Sequence, residues 1–188
     1  MKLLIASDIH GSAYWCRKLL DLAEAYQPDR LVILGDILYH GPRNDLPREY
    51  APKQVIAMLA PWADRITAVR GNCEAEVDQM VLNFPCMADY ALLCDGNTEM
   101  YLTHGHLWSP DQLPALKDGT VFLSGHTHIK LDRQVGQVRC LNPGSVSIPK
   151  ETSWHGCMTL EDGHFRWIDF DGNVQMEWDV SWPFPNNQ

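Results

Sequence analysis

The sequence predicts an α/β fold of two stacked mixed sheets flanked by helices. Three observations lead there. In the first half, short apolar runs alternate with amphipathic stretches of helical period. Five of the apolar runs in the chain end in a small polar cluster rich in metal-ligand types. In the last third, strand-like segments are separated by Asp-Gly turns.

The elements follow in order. Strand Leu3–Ser7 leads into a helix from about Ala13 to Tyr26, with Ser12 as its N-cap. Trp15, Cys16, Leu19, Leu22, Ala23 and Tyr26 recur at helical spacing, so this stripe is core packing. Strand Leu31–Leu34 precedes the loop Tyr39–Pro47. A second helix begins near Ala51, with Pro52 suited to its first turn and Pro61 helping to close it. Strand Ile66–Val69 runs through Gly71-Asn72 to a third helix around Ala75–Leu82, a β-α-β pattern with a parallel component. Tyr90–Cys94 and Glu99–Thr103 flank Asp95-Gly96-Asn97, a hairpin signal, and Val121–Ser124 is a further buried run. Gly156–Leu160, His164–Phe170 and Gln175–Val180 read as an antiparallel meander. Trp154, Trp167, Trp178 and Trp182 fall in this last third and are assigned to the core between sheets. A subunit interface anchored by Trp167 and Trp178, and hence a homo-oligomer, is the alternative. Residues 1–182 are expected to form a single domain, with Pro183–Gln188 a flexible tail.

Composition fits one enzyme domain. A chain of 188 residues with 45% hydrophobic content can bury a substantial core. The net charge of -9 argues against a general duplex-binding surface, which needs Lys and Arg to neutralise phosphates. The six cysteines show no C-x-x-C pair and lie mostly in apolar runs, as buried reduced thiols do. The N-terminal apolar stretch, interrupted by Asp8, is too short for a signal segment. No run approaches transmembrane length, and a cytoplasmic location is expected.

Chemistry concentrates at the strand ends. The clusters are Asp8-Ile9-His10, Gly35-Asp36, Gly71-Asn72, Thr103-His104 and Gly125-His126-Thr127-His128. Functional groups gather at the carboxyl ends of strands in open α/β sheets, so five such ends can deliver seven ligands to one place. Imidazole with carboxylate and amide suits Mn²⁺, Fe²⁺ or Zn²⁺. Seven ligands exceed the four of a tetrahedral zinc, which favours two divalent ions, and Mn²⁺ is the expected metal. Two cations about 3.5–4 Å apart need a bridging anion, and Asp36, a lone carboxylate after a glycine, is placed to be it.

In this order the clusters resemble the signature of the calcineurin-like metallophosphoesterase family, over nearly the whole chain. Leu34–Pro47, with His40-Gly41-Pro42-Arg43-Asn44, and Arg70-Gly71-Asn72-Cys73 are similar to the YfcE-type bacterial phosphodiesterases of that family. Asn142-Pro143-Gly144-Ser145 resembles a segment of the small bacterial members. The resemblance implies a four-layer αββα sandwich. It also implies a division of ligands: Asp8, His10 and His128 on one metal, Asn72, His104 and His126 on the other, with Asp36 bridging.

A water bridging two cations loses its proton near neutral pH, so phosphoester hydrolysis needs no protein nucleophile. The expected activity is therefore hydrolysis of small phosphodiesters by a bridging hydroxide. Phosphomonoester or nucleotide hydrolysis, and a non-catalytic protein-binding scaffold, are the alternatives. Many relatives carry histidine where this chain has Cys73. Its thiol, with an ordinary pKa near 8.5, is a candidate proton donor or an added ligand, and otherwise a small buried residue without catalytic duty. Its presence favours esters with acidic leaving groups. Arg43, in the loop after Asp36, is the candidate phosphate-binding residue, since a guanidinium offers forked donors. Arg70 reads as structural. His40 reads as a pocket or loop-capping residue, and His106 as a group behind the ligands or facing substrate.

Overall fold

In a computed structural model the chain is described over residues 1–180; the expected tail Pro183–Gln188, and Trp182, lie outside the described residues. The elements are β1 (Leu3–Ala6), α1 (Ala13–Tyr26), β2 (Arg30–Ile33), α2 (Pro52–Leu59), β3 (Ile66–Ala68), α3 (Glu76–Val81), β4 (Tyr90–Asp95) and β5 (Thr98–Thr103). They continue with β6 (Val121–Leu123), β7 (Lys130–Val135), β8 (Val138–Pro143), β9 (Gly156–Glu161), β10 (His164–Asp169) and β11 (Val174–Asp179).

Local chemistry sets the boundaries. Ser12 caps α1 by accepting the amide of Trp15, and Gln27 closes the helix in the left-handed region. Pro52 sits in the first turn of α2. Pro61 has no N–H to continue the ladder, so the chain tightens into a single 3-10 turn, Ala60–Trp62.

Two mixed sheets result. The first has the order β11-β10-β9-β1-β2-β3, with β1, β2 and β3 parallel and the meander antiparallel. The second has the order β4-β5-β6-β8-β7, with β5, β6 and β8 parallel. Strand β1 is buried on both faces. Leu4 and Ala6 face α1 and α2, while Leu3 and Ile5 face the second sheet and meet Met100, Leu102 and Leu123. Trp167 is fully buried between the sheets, and its indole N–H donates to the Asn142 carbonyl at 2.7 Å. Trp178 packs on the same layer against Phe165.

Two features go beyond the expected elements. The β7–β8 hairpin was not anticipated: β7 is a charged edge strand whose Asp132 pairs with Arg139 across the turn, so it lacks apolar alternation. The outer face of the second sheet is covered by the irregular segment 105–119, whose Trp108, Leu113 and Leu116 pack on Tyr101 and Phe122. Pro110 and Pro114 keep that cover from being helical.

The topology positions the site. The parallel strands of both sheets end on one edge of the sandwich, and the loops after β1, β2, β3, β5 and β6 meet there. The backbone joins them directly: Asp8 N–H donates to Gly35 O at 3.1 Å and Gly125 N–H to His104 O at 2.8 Å. Gly35 has φ of +89°, and a β-carbon on it would stand 2.6 Å from the amide of Gly71.

Candidate metal centre

Five of the seven predicted ligands stand in left-handed backbone. Asp8, His10, Asp36, His126 and His128 have φ between 49° and 68°. Such conformations cost about 1–3 kcal/mol each and persist where surrounding structure holds them. Here the holding bonds are His10 N–H to Asp36 O at 2.9 Å and Gly11 N–H to Ile37 O at 2.8 Å. Ser145 and Ser147 donate their hydroxyls to Asp8 O. The strain turns each ligand away from its own strand and toward the shared edge.

The side chains form two groups with one carboxylate between them. In the first group, Asp8 Oδ1 lies 3.5 Å from His10 Nε2 and 3.2 Å from His128 Nε2, and the two Nε2 atoms are 3.1 Å apart. In the second, His104 Nε2 lies 3.1 Å from Asn72 Oδ1 and 3.3 Å from His126 Nδ1. Asp36 Oδ2 stands 3.7 Å from His10 Nε2 and 3.5 Å from His104 Nε2, so it faces both groups. Asp36 Oδ1 accepts the Cys73 amide at 2.9 Å. All seven predicted residues are brought together.

Hydrogen bonding decides which nitrogens face inward. A carbonyl only accepts, so His10 Nδ1, His104 Nδ1 and His128 Nδ1 donate to the carbonyls of Tyr39, Leu34 and Ile148, at 2.7, 2.6 and 2.7 Å. Each neutral ring then presents a bare Nε2 lone pair to the centre. His10 and His128 thus aim two lone pairs at each other, an arrangement that repels unless a cation or proton lies between them. Asp8 Oδ2 is satisfied by the Ser7 hydroxyl and the His126 amide, whereas buried Asp8 Oδ1 has no hydrogen-bond partner. A buried orphan carboxylate oxygen among converging imidazole lone pairs fits a divalent cation.

The electrostatics agree. Burial alone would disfavour charge on His104, but Asp36 and Asp8 outweigh it and raise the imidazole to about 9. Burial likewise opposes charge on His10, and Asp8 raises it nonetheless. Protons on these rings stand in for cations, and metal binding displaces them.

Glu74 is the residue that sequence reasoning missed. It is buried, and its carboxylate accepts the amides of Asp36 at 2.9 Å, Ile37 at 2.7 Å and Gly71 at 2.5 Å. Burial and the neighbouring Asp36 charge push its carboxyl up to about 7, against those three donors. It ties the Asp36 loop to the Asn72 loop. A glutamate just before a helix has an ordinary reading as a dipole partner, which hides this role.

The cleft above the centre has a volume of about 430 Å³ and is lined by Asp36, Asn72, Cys73, His126 and His128, with Arg43, Asn44, Thr127 and Lys150. Arg43 and Cys73 thus both line the cleft. Burial, then the Asp36 charge, pushes the Cys73 thiol up. Its sulfur falls within one ligand group with His10 and Asp36. Arg70 pairs with Asp89 through Nε and Nη2, as a structural arginine does. The His40 ring packs between Tyr39 and Tyr50. His106 lies tilted beside His104 and His126, with ring centroids 5.4 and 6.2 Å away.

Two mixed sheets with this ligand set at their shared edge define a metallophosphoesterase. The calcineurin-like phosphoesterase superfamily domain matches residues 1–163, and the chain belongs to that superfamily. It is 49% identical over 150 residues to the phosphodiesterase YfcE of Escherichia coli K12, covering 80% of this chain and 82% of that one. The structure of the Escherichia coli YfcE phosphoesterase superposes with a TM-score of 0.93 at 42% identity, over 96% of this chain and all (100%) of that one. The probable metallophosphoesterase YsnB of Bacillus subtilis is 26% identical over 188 residues, covering 92% of this chain and 94% of that one. No helix among the described residues is long and apolar enough to cross a membrane.

Proposed function

We propose that residues 1–182 form a metal-dependent phosphodiesterase acting on small diesters at a dinuclear centre. The observation that carries this reading is Asp36 Oδ2, which faces His10 Nε2 and His104 Nε2 at nearly equal distances. Asp8, His10 and His128 would hold one cation, and Asn72, His104 and His126 the other. Mn²⁺ suits this mixed imidazole, carboxylate and amide set. When bound, the cations supply a water-derived nucleophile near neutral pH and polarise the phosphoryl oxygens.

The protein's own groups complete the chemistry. The Tyr39, Leu34 and Ile148 carbonyls fix three imidazoles in the tautomer that leaves Nε2 free. Glu74 holds the bridging loop in register with the Asn72 loop. Arg43 presents forked donors to a phosphate oxygen in the cleft. Cys73 offers a thiol proton to the leaving oxygen. A thiol is a weaker general acid than imidazolium, which favours esters whose leaving groups need no protonation. Cys73→His is expected to raise the rate on an alkyl phosphodiester by about tenfold, with a smaller change on an aryl diester. Equal rates for both enzymes on both esters would remove Cys73 from the mechanism.

The reading is tested by metal removal. Protein stripped with a chelator should lose hydrolysis of bis(p-nitrophenyl) phosphate and regain it with Mn²⁺, binding two ions per chain. Turnover faster on the monoester p-nitrophenyl phosphate would instead indicate a monoesterase. No turnover with any divalent cation in folded protein would exclude an esterase.

A further inference from the structure

The cleft carries more positive charge than a simple diester needs. A diester has one negative charge, and two dications already exceed the two carboxylates Asp8 and Asp36. Arg43 and Lys150 nevertheless both line the opening. Neither side chain has an ion-pair, hydrogen-bond or ring partner among the described residues, in a chain of net charge -9. For arginine this is exceptional. Every other arginine among the described residues meets a carboxylate, a hydroxyl or an aromatic ring, as Arg17 meets Glu49 and Arg133 meets Asp111.

The two residues belong to segments that meet different ends of the ligand set. The Arg43 loop abuts the Asn72–Cys73 end: a β-carbon on Gly41 would stand 3.3 Å from Cys73 Sγ. The backbone of Lys150 is pinned at the other end, where its amide donates to His128 O at 3.1 Å and its carbonyl accepts the Ser153 amide at 3.0 Å. Ile148, two residues earlier, orients the His128 ring. A lysine side chain rising from so fixed a base beside a ligand is placed to meet whatever projects from that side of the reacting phosphate. The rest of the lining is polar or glycine and proline, with no phenylalanine, tyrosine or tryptophan to stack a base and no aliphatic wall to hold an acyl chain.

We propose that Lys150 is a specificity-determining residue that reads a second anionic group, phosphate or carboxylate, on one alcohol of the diester. The substrates are then small polyanionic diesters. This rests on the diesterase reading above, in which Arg43 serves the reacting phosphate.

The experiment compares three diesters of matched size: propyl, 2-carboxyethyl and 2-phosphonoethyl p-nitrophenyl phosphate. The wild-type Mn²⁺ enzyme should prefer the two anionic esters by about fivefold in kcat/KM, expressed in KM, as suits a partly solvated charge pair. That preference should fade in about 0.5 M salt, where the screening length is only a few ångströms. Lys150→Gln should bring the ratio to about one at low salt, and Lys150→Arg should restore it. Calorimetry with the unreactive methylenephosphonate analogue of the carboxyethyl ester should show the same ordering of affinities. A preference for carboxylate over phosphonate, or the reverse, identifies which anion is read. A wild-type ratio near one, or a Lys150→Gln effect equal on all three esters, overturns the proposal. Absence of metal-dependent turnover on all three would overturn the diesterase reading instead.

Discussion

Asp36→Asn is expected to lower kcat on bis(p-nitrophenyl) phosphate by about 10³-fold with Mn²⁺ present. The substitution is nearly isosteric, and the new amide oxygen can still accept the Cys73 N–H that Asp36 Oδ1 accepts at 2.9 Å. What it removes is charge at the one oxygen that faces both ligand groups. A neutral amide has a single good donor atom for a cation, so it cannot bridge two. An NH₂ at that position would also donate to the Nε2 lone pairs of His10 or His104, filling the centre with hydrogen bonds in place of metal. Thermal denaturation provides the second readout. Ligands that bind only the folded state raise the melting temperature, so Mn²⁺ should stabilise the wild type and stabilise Asp36→Asn far less. A variant retaining activity within tenfold, with an undiminished Mn²⁺ response, would disprove the bridge.

Glu74→Gln should destabilise the metal-free protein by about 3 kcal/mol and weaken metal affinity by roughly 10–100-fold. The carboxylate accepts three buried amides with two oxygens. Glutamine has one acceptor oxygen, and its NH₂ must then point at an N–H, leaving one or two buried donors without a partner. With its oxygen in place of Oε2, glutamine keeps the amides of Asp36 and Gly71 and turns its NH₂ on that of Ile37. In the opposite orientation it frees Asp36 and Gly71, so either way the Asp36 loop loses a bond to this side chain. Urea denaturation of the metal-free variant measures the first effect, and metal titration the second. Normal stability with normal metal affinity would show that the two loops hold their register without this carboxylate.

These two residues mark different limits of what a sequence displays. Asp36 was legible because it follows a glycine at the end of an apolar run, a pattern that local chain geometry alone places at a strand end. The other six candidate ligands likewise stand directly after a strand or within a few residues of one. Glu74 and Lys150 carry no such local mark. One belongs to the site because it reaches the Asp36 loop, 38 residues away in sequence. The other belongs because its amide meets the His128 carbonyl.

The fold divides in the same way. Helix α1 and its Ser12 cap, the β4–β5 hairpin and the β9–β11 meander were readable from period and turn chemistry. The β7–β8 hairpin was not, because this charged edge strand has one neighbour and packs only Leu131 and Val135 on the core, with Arg133 between them, so no apolar alternation shows. Nor was the irregular cover of the second sheet.

The sequence by itself determined which residues could make a phosphoesterase metal centre, since ligand type and strand-end position are local properties of the chain. Only the tertiary structure decided the rest. It placed Asp8, His10 and His128 in one group and Asn72, His104 and His126 in another. It also turned Nε2 inward on three rings through distant carbonyls, and set two unpaired cations over the cleft. Those outcomes depend on how two separate sheets align along one edge, and that alignment is the sum of contacts between residues far apart in the chain.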